Sequence, residues 1–128
     1  MTNGLGQTII DKIPKIMEEL PKFLDKLGPY VEKIASFYNR PLPELTYRRL
    51  VDDMVTWKPN DGRIISAAAV KEIKDNGEIK VNVVYLDKNG NPIWDDGKNN
   101  AYSFGISARK IDAELERVFD GKKAIIFN

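Results

Sequence analysis

At 128 residues, with 42% hydrophobic and 30% charged residues, the chain is long enough for one ordinary domain with a real core, or for a small domain carrying a helical arm. It contains no cysteine and no histidine, which removes disulfides, thiolate metal sites, thiol nucleophiles, the commonest catalytic base and the commonest transition-metal ligand together. Lys and Arg number 20 against 19 Asp and Glu, so no whole-chain field draws polyanions.

The start, Met1 to Gly6, has no basic region followed by an uninterrupted apolar stretch, and no apolar run approaches the roughly 20 residues of a spanning helix. The expectation is a soluble, cytoplasmic protein with no membrane span. Residues 11–38 then fall into four consecutive heptads. On a helix, Ile13, Leu20, Leu27 and Ile34 align with Ile16, Phe23, Tyr30 and Phe37, while Met17, Leu24, Val31 and Tyr38 widen the stripe. Thr8 can cap this helix, and Asp11 sits in its first turn, where a negative charge favours the exposed amides.

Prolines complicate the arm. Pro14 lies close to the helix start, but Pro21 is interior, at a cost of about 3 kcal/mol, and Gly28 with Pro29 combines two stop signals. A kink near Leu20 and a break near Gly28 are expected. Pro14, Pro21 and Gly28 recur at one heptad position away from the stripe, so their bends would curve the element consistently. Fully burying a large apolar side chain contributes about 1.5–3 kcal/mol, so the stripe outweighs the proline cost only if something covers it. The polar face mixes Glu18, Glu19, Lys22, Asp25, Lys26, Glu32 and Lys33, which suits a solvated bundle better than an anionic membrane surface. Three coverings compete: the arm folds back over its own body, it self-associates as a coiled coil or bundle, or, least favoured, it lies on a membrane surface. The residues expected to form an association seam are Ile13, Ile16, Leu20, Phe23, Leu24, Leu27, Val31 and Ile34.

Arg40 to Pro43 reads as an extended linker because two prolines forbid continuous helix, and it divides an arm, residues 1–40, from a body, residues 41–128. From Glu44 to Trp57, Tyr47, Leu50, Val51, Met54 and Val55 follow helical spacing, with Arg48, Arg49, Asp52 and Asp53 expected on the solvated sides. Asp75-Asn76-Gly77 predicts a hairpin loop with Gly77 left-handed, which sets Ile73 against Ile79 and Glu72 against Lys80; a helix over residues 66–75 is the rival. Ile79, Val81, Val83 and Tyr85 alternate inward, and Val84 and Leu86 make the other face apolar, so this strand should be central and covered on both sides there. Asn89-Gly90 predicts a second hairpin turn leading to Trp94. Tyr102, Phe104 and Ile106 form the next strand of an antiparallel meander. Ser107 is expected to cap a helix carrying Ile111, Leu115, Val118 and Phe119, with Gly121 just past its end and a last short strand at Ala124 to Phe127. The fold class is therefore α+β: an N-terminal amphipathic arm plus a small antiparallel sheet with packing helices.

Little in this pattern carries chemistry. The loops Asp87 to Asn91 and Asp95 to Asn100 are rich in oxygens, but neither completes a calcium loop, and turn residues are the simpler reading. No phosphate-cradling glycine loop, nucleophile elbow or kinase signature occurs. The expectation is a protein that is not an enzyme, without cofactor or metal, and that works as a homo-oligomer or with a protein partner. The alternative is a single-stranded DNA or RNA binder whose sheet offers Trp94, Tyr102 and Tyr85 for stacking and Lys80, Lys98, Arg109 and Lys110 for phosphates. In layout, hairpins followed by a capped helix, the body is similar to small dimeric single-strand DNA-binding coactivators, a resemblance of element order without a matching motif.

Overall fold

A computed structural model describes residues 40–95 and 100–127. The arm, with its seam from Ile13 to Ile34 and its expected kink and break, lies outside the described residues, as does Lys98. The elements in chain order are α1 (Tyr47–Thr56), β1 (Ser66–Ile73), β2 (Ile79–Leu86), β3 (Trp94–Asp95), β4 (Asn100–Ala101), β5 (Ser103–Ala108), α2 (Ala113–Phe119) and β6 (Ala124–Phe127). Four strands form an antiparallel sheet in the order β5-β2-β1-β6, and β3 pairs with β4 as a separate ribbon. The described body is α+β.

The first hairpin follows the sequence closely. Gly77 takes φ +88°, a conformation that costs residues with a Cβ, and the register sets Ile73 opposite Ile79 and Glu72 opposite Lys80. Asn76 Oδ1 also accepts from the Glu78 amide at 3.0 Å, fixing the turn locally. Because β2 lies between β5 and β1, it is central, and its apolar alternation is satisfied on both sides of the sheet.

The meander, however, is interrupted. The turn at Asn89-Gly90 forms, with Gly90 at φ +77° and the Asp87 amide donating to Asn91 O at 2.9 Å. Asp87 Oδ1 accepts from the amides of Asn89 and Asn91, so its carboxylate serves the turn. Leu86 then makes a single bridge to Pro92, and proline has no N–H with which to extend a ladder. The chain leaves β2 there, Trp94 and Asp95 pair with Ala101 and Asn100, and the freed edge of β2 is taken by β5.

Ser107 is not a helix cap. It lies in β5 opposite Lys80, and Asp112 caps α2 instead, its Oδ1 accepting from the Leu115 amide at 2.8 Å. The chain stays extended past Ala108 because Leu42 and Leu45 bridge Ala108 and Ile111 in parallel. The extended linker is thus docked on the sheet margin: Leu42 N donates to Ser107 O at 2.9 Å, and Arg109 N donates to Leu42 O at 2.8 Å. The same Asp112 Oδ1 accepts from the Tyr47 amide at 3.2 Å, so one carboxylate ties the start of α1 to the start of α2. Asp120 and Gly121 end α2 with positive φ.

On α1, Thr46 Oγ1 caps the helix by accepting from Arg49 N at 3.0 Å, and Arg48 faces Asp52 in the solvated pair expected. Asp53 departs from that expectation. It is buried and paired with Arg49 at 3.4 Å, because its turn of the helix packs down toward Tyr85. One buried layer lies between the helices and one sheet face. Leu50, Val51 and Met54 of α1 and Leu115 and Phe119 of α2 pack with Ala67, Ala69, Val81, Val83, Tyr85, Phe104, Ile106, Ile125 and Phe127.

Candidate assembly face

Strand residues alternate between faces, so the core register leaves a second set of side chains on the opposite side of the sheet. Cross-strand pairing arranges them in rows. One runs Ser103, Val84, Ala68, Ile126; the next runs Gly105, Asn82, Val70, Ala124; the third holds Ser107, Lys80 and Glu72. Small residues dominate here, which lets a covering element approach the backbone, while Val70, Val84, Leu86 and Ile126 supply apolar bulk.

Most of this face is buried, Glu72 and Ser103 being the more open positions. Ala68, Asn82, Val84 and Ala124 are 0% exposed, Leu86 is 1% exposed, and Val70, Ser107 and Lys80 leave only 7%, 6% and 8%. Its apolar members belong to no part of the cluster that holds the buried side chains of α1 and α2. Among the described residues, then, both helices serve one face of the sheet. Even β6, an outer strand of the sheet, is buried at every residue.

Two polar groups mark the face. Asn82 sits at its centre between Gly105 and Val70, and neither its Oδ1 nor its Nδ2 has a hydrogen-bond partner. A buried amide in that state costs about 1–3 kcal/mol, so its retention demands a reason other than stability. Lys80 lies one row away, and burial pushes its ammonium below the ordinary lysine range, against the opposing pull of Glu72.

Of the described residues expected to read nucleic acid, Tyr85 and Lys80 do not share a surface. Tyr85 lies in the core, its ring 6.3 Å from that of Phe104 and its hydroxyl donated to Met54 O, while Lys80 is on the opposite face. Tyr102 is half-buried, with its hydroxyl 3.4 Å from Asp61 Oδ2. Arg109 and Lys110 are exposed beyond β5, where Lys110 pairs with Glu44 at 3.8 Å, and Trp94 belongs to the β3 ribbon. Arg63 clasps Asp61 through three side-chain contacts of 2.7 to 3.2 Å and holds that carboxyl far below the usual range, a loop brace next to Tyr102.

No cluster of three or more His, Cys, Asp or Glu residues able to hold a metal ion occurs among the described residues, and no helix there is long and apolar enough to cross a membrane. Sequence reasoning saw the apolar half of the second face in Val84 and Leu86 but missed Asn82 and the small residues of β5. The pattern Ser103, Gly105, Ser107 has the period of a strand, yet reads as a solvated edge rather than a seat. No protein-family model, curated protein or solved structure matches this chain.

Proposed function

We propose that this chain is a non-catalytic association protein, in which the heptad arm joins the body to copies of itself or to a protein partner. The feature that supports this reading is the four-heptad repeat of residues 11–38, whose apolar stripe is wider than one contact face needs. The arm brings a wide apolar stripe with a solvated opposite side, the chemistry of an assembly element rather than of a ligand site. The seam from Ile13 to Ile34 acts as a packed surface, not as individual contacts.

The nucleic-acid reading has less support. Stacking needs exposed rings beside cations, and Tyr85 is enclosed on the face opposite Lys80. Light scattering after size exclusion tests the preferred function. The full chain should be an oligomer whose mass falls when Leu20 and Leu27 are both replaced by Glu. An unchanged mass with an unchanged fold would remove the arm from any assembly role.

A further inference from the structure

We infer that Asn89 is a site of spontaneous covalent modification in the folded chain, losing its side-chain nitrogen through attack by the backbone of Gly90, while Asn76, in the same dipeptide, is protected by the sheet. This inference is independent of the assembly reading and needs no partner.

The chemistry belongs to the Asn-Gly pair. The glycine backbone nitrogen gives up its proton to hydroxide and attacks Cγ of the preceding asparagine. The new N–Cγ bond closes a five-membered imide, and the Cγ–Nδ2 bond breaks with loss of ammonia. Water then opens either imide carbonyl, leaving aspartate or its β-linked isomer, so the net change is amide plus water to acid plus ammonia. Glycine favours the attack because it has no Cβ to obstruct the approach. The sequence holds three such pairs, at positions 3, 76 and 89. The last two lie in turns, with Asn76 and Asn89 exposed and Gly77 and Gly90 at φ +88° and +77°.

In both turns the attacking nitrogen is engaged. Gly77 N donates to Lys74 O at 2.9 Å, and Gly90 N donates to Asp87 O at 3.0 Å. The reaction therefore waits for local opening, and its rate is the rate of the open chain scaled by the fraction of time the turn is open.

Two differences separate the sites. The first is the reacting side chain. Asn76 Oδ1 accepts from Glu78 N at 3.0 Å, so its carboxamide is held across the turn. Among the described residues the Asn89 carboxamide has no hydrogen-bond partner. The bonds beside it run to main chain: Asp87 Oδ1 accepts from the amides of Asn89 and Asn91, which orders the backbone and leaves Cγ to swing toward Gly90 N.

The second difference is what flanks each turn. The Asp75-Asn76-Gly77 turn closes the β1–β2 ladder, in which every residue from Ser66 to Ile73 is paired, and Lys74 N donates to Glu78 O at 2.8 Å just inside it. Opening this turn works against the longest ladder among the described residues. The turn at Asn89-Gly90 is followed by the lone bridge from Leu86 to Pro92, and proline supplies no amide to extend it. Opening there disrupts the bond from Asp87 N to Asn91 O and the contacts of Asp87 Oδ1, with no ladder beyond Pro92 to resist. Either product puts a new negative charge two residues from Asp87, and the β-linked isomer also lengthens the main chain by one carbon, so modification loosens the turn that leaves the central strand.

The unmodified full chain is itself the probe, so no variant has to fold. It is incubated in mildly alkaline buffer, and in parallel in concentrated urea, where neither turn survives. Peptide mapping by mass spectrometry then follows, at each position, the mass gain that replaces an amide by an acid. Dividing the native rate by the urea rate cancels the effect of the differing neighbours, Asp75 and Lys88. Position 76 should be slowed by about tenfold or more in the native chain, and position 89 by less than about threefold. Equal slowing at the two positions, or stronger slowing at position 89, would overturn the inference.

Discussion

The Tyr85 hydroxyl donates to the carbonyl oxygen of Met54 at 2.6 Å, tying the central strand of the sheet to the last turn of α1. The final four carbonyls of a helix have no intrahelical partner, and this one is buried, so the phenol satisfies an acceptor that water cannot reach. Tyr85→Phe keeps the ring and strands that carbonyl, which should lower unfolding free energy by about 1–3 kcal/mol in urea titrations at neutral pH. A variant as stable as the parent would mean the carbonyl finds another donor.

The same residue sets an alkaline limb. Burial, and secondarily the Asp53 carboxylate, push the Tyr85 phenol well above its ordinary value of 10.0. Above that value the unfolded chain releases the proton while the native chain keeps it, so the native state binds more protons and stability falls as pH rises, by about 1.4 kcal/mol per unit. Below it the contribution is fully present. Comparing parent and Tyr85→Phe in urea at pH of about 9, 10 and 11 should show a shallower decline in the variant. Tyr47, raised by its own burial and by Glu114, remains in both and cancels. Parallel declines would refute the assignment.

Asp112 joins two helix starts through one oxygen, accepting from Leu115 N and Tyr47 N. Loss of an N-cap costs about 0.5–2 kcal/mol, and Asp112→Ala removes the second contact as well, so the loss should lie toward the upper end of that range. Asp112→Asn keeps an acceptor and should recover most of it. If both variants lose equally, the charge at the helix N-terminus matters more than the hydrogen bonds.

The nucleic-acid alternative has its own readout. With Tyr85 enclosed and Lys80 on the opposite face, unstructured oligonucleotides at low salt should leave tryptophan fluorescence and gel mobility unchanged. Quenching of Trp94 that weakens steeply with salt would restore that reading and place the contact on the β3 ribbon.

Local signals and long-range competition divide what the sequence made legible. The Asp75-Asn76-Gly77 turn, the inward set of β2, the helix α1 and the closing strand β6 could all be read because each depends on turn chemistry or periodicity within a few residues. The departures share another cause. Pro92 ended a ladder that Asn89-Gly90 had started, and Leu42, far away in sequence, held residues 109–111 extended, which moved the helix start from Ser107 to Asp112. Neither choice is encoded where it is expressed. The second face was hidden for a similar reason: Ser103, Gly105 and Ser107 resemble a wet surface in sequence, yet Gly105 and Ser107 are buried.

Asn82 offers the sharpest test of what that face is for. Its amide is fully buried between Gly105 and Val70 with both polar atoms unpartnered, so Asn82→Leu, which keeps the branch at Cγ in a bulkier apolar side chain, removes a penalty of about 1–3 kcal/mol and adds apolar contact. The thermal midpoint should therefore rise by several degrees. A polar group kept at such a cost makes sense if it limits the ways apolar neighbours can settle around it, as single buried amides do in coiled coils, so the stabilised variant should also lose uniqueness. Light scattering and amide spectra would then show mixed masses or doubled resonances in a chain that melts higher than its parent. A single species with a higher midpoint would leave Asn82 without a specifying role. A lower midpoint would show that the amide is hydrogen-bonded in solution or that the site has no room for the bulkier leucine, and would remove the stability cost from the argument.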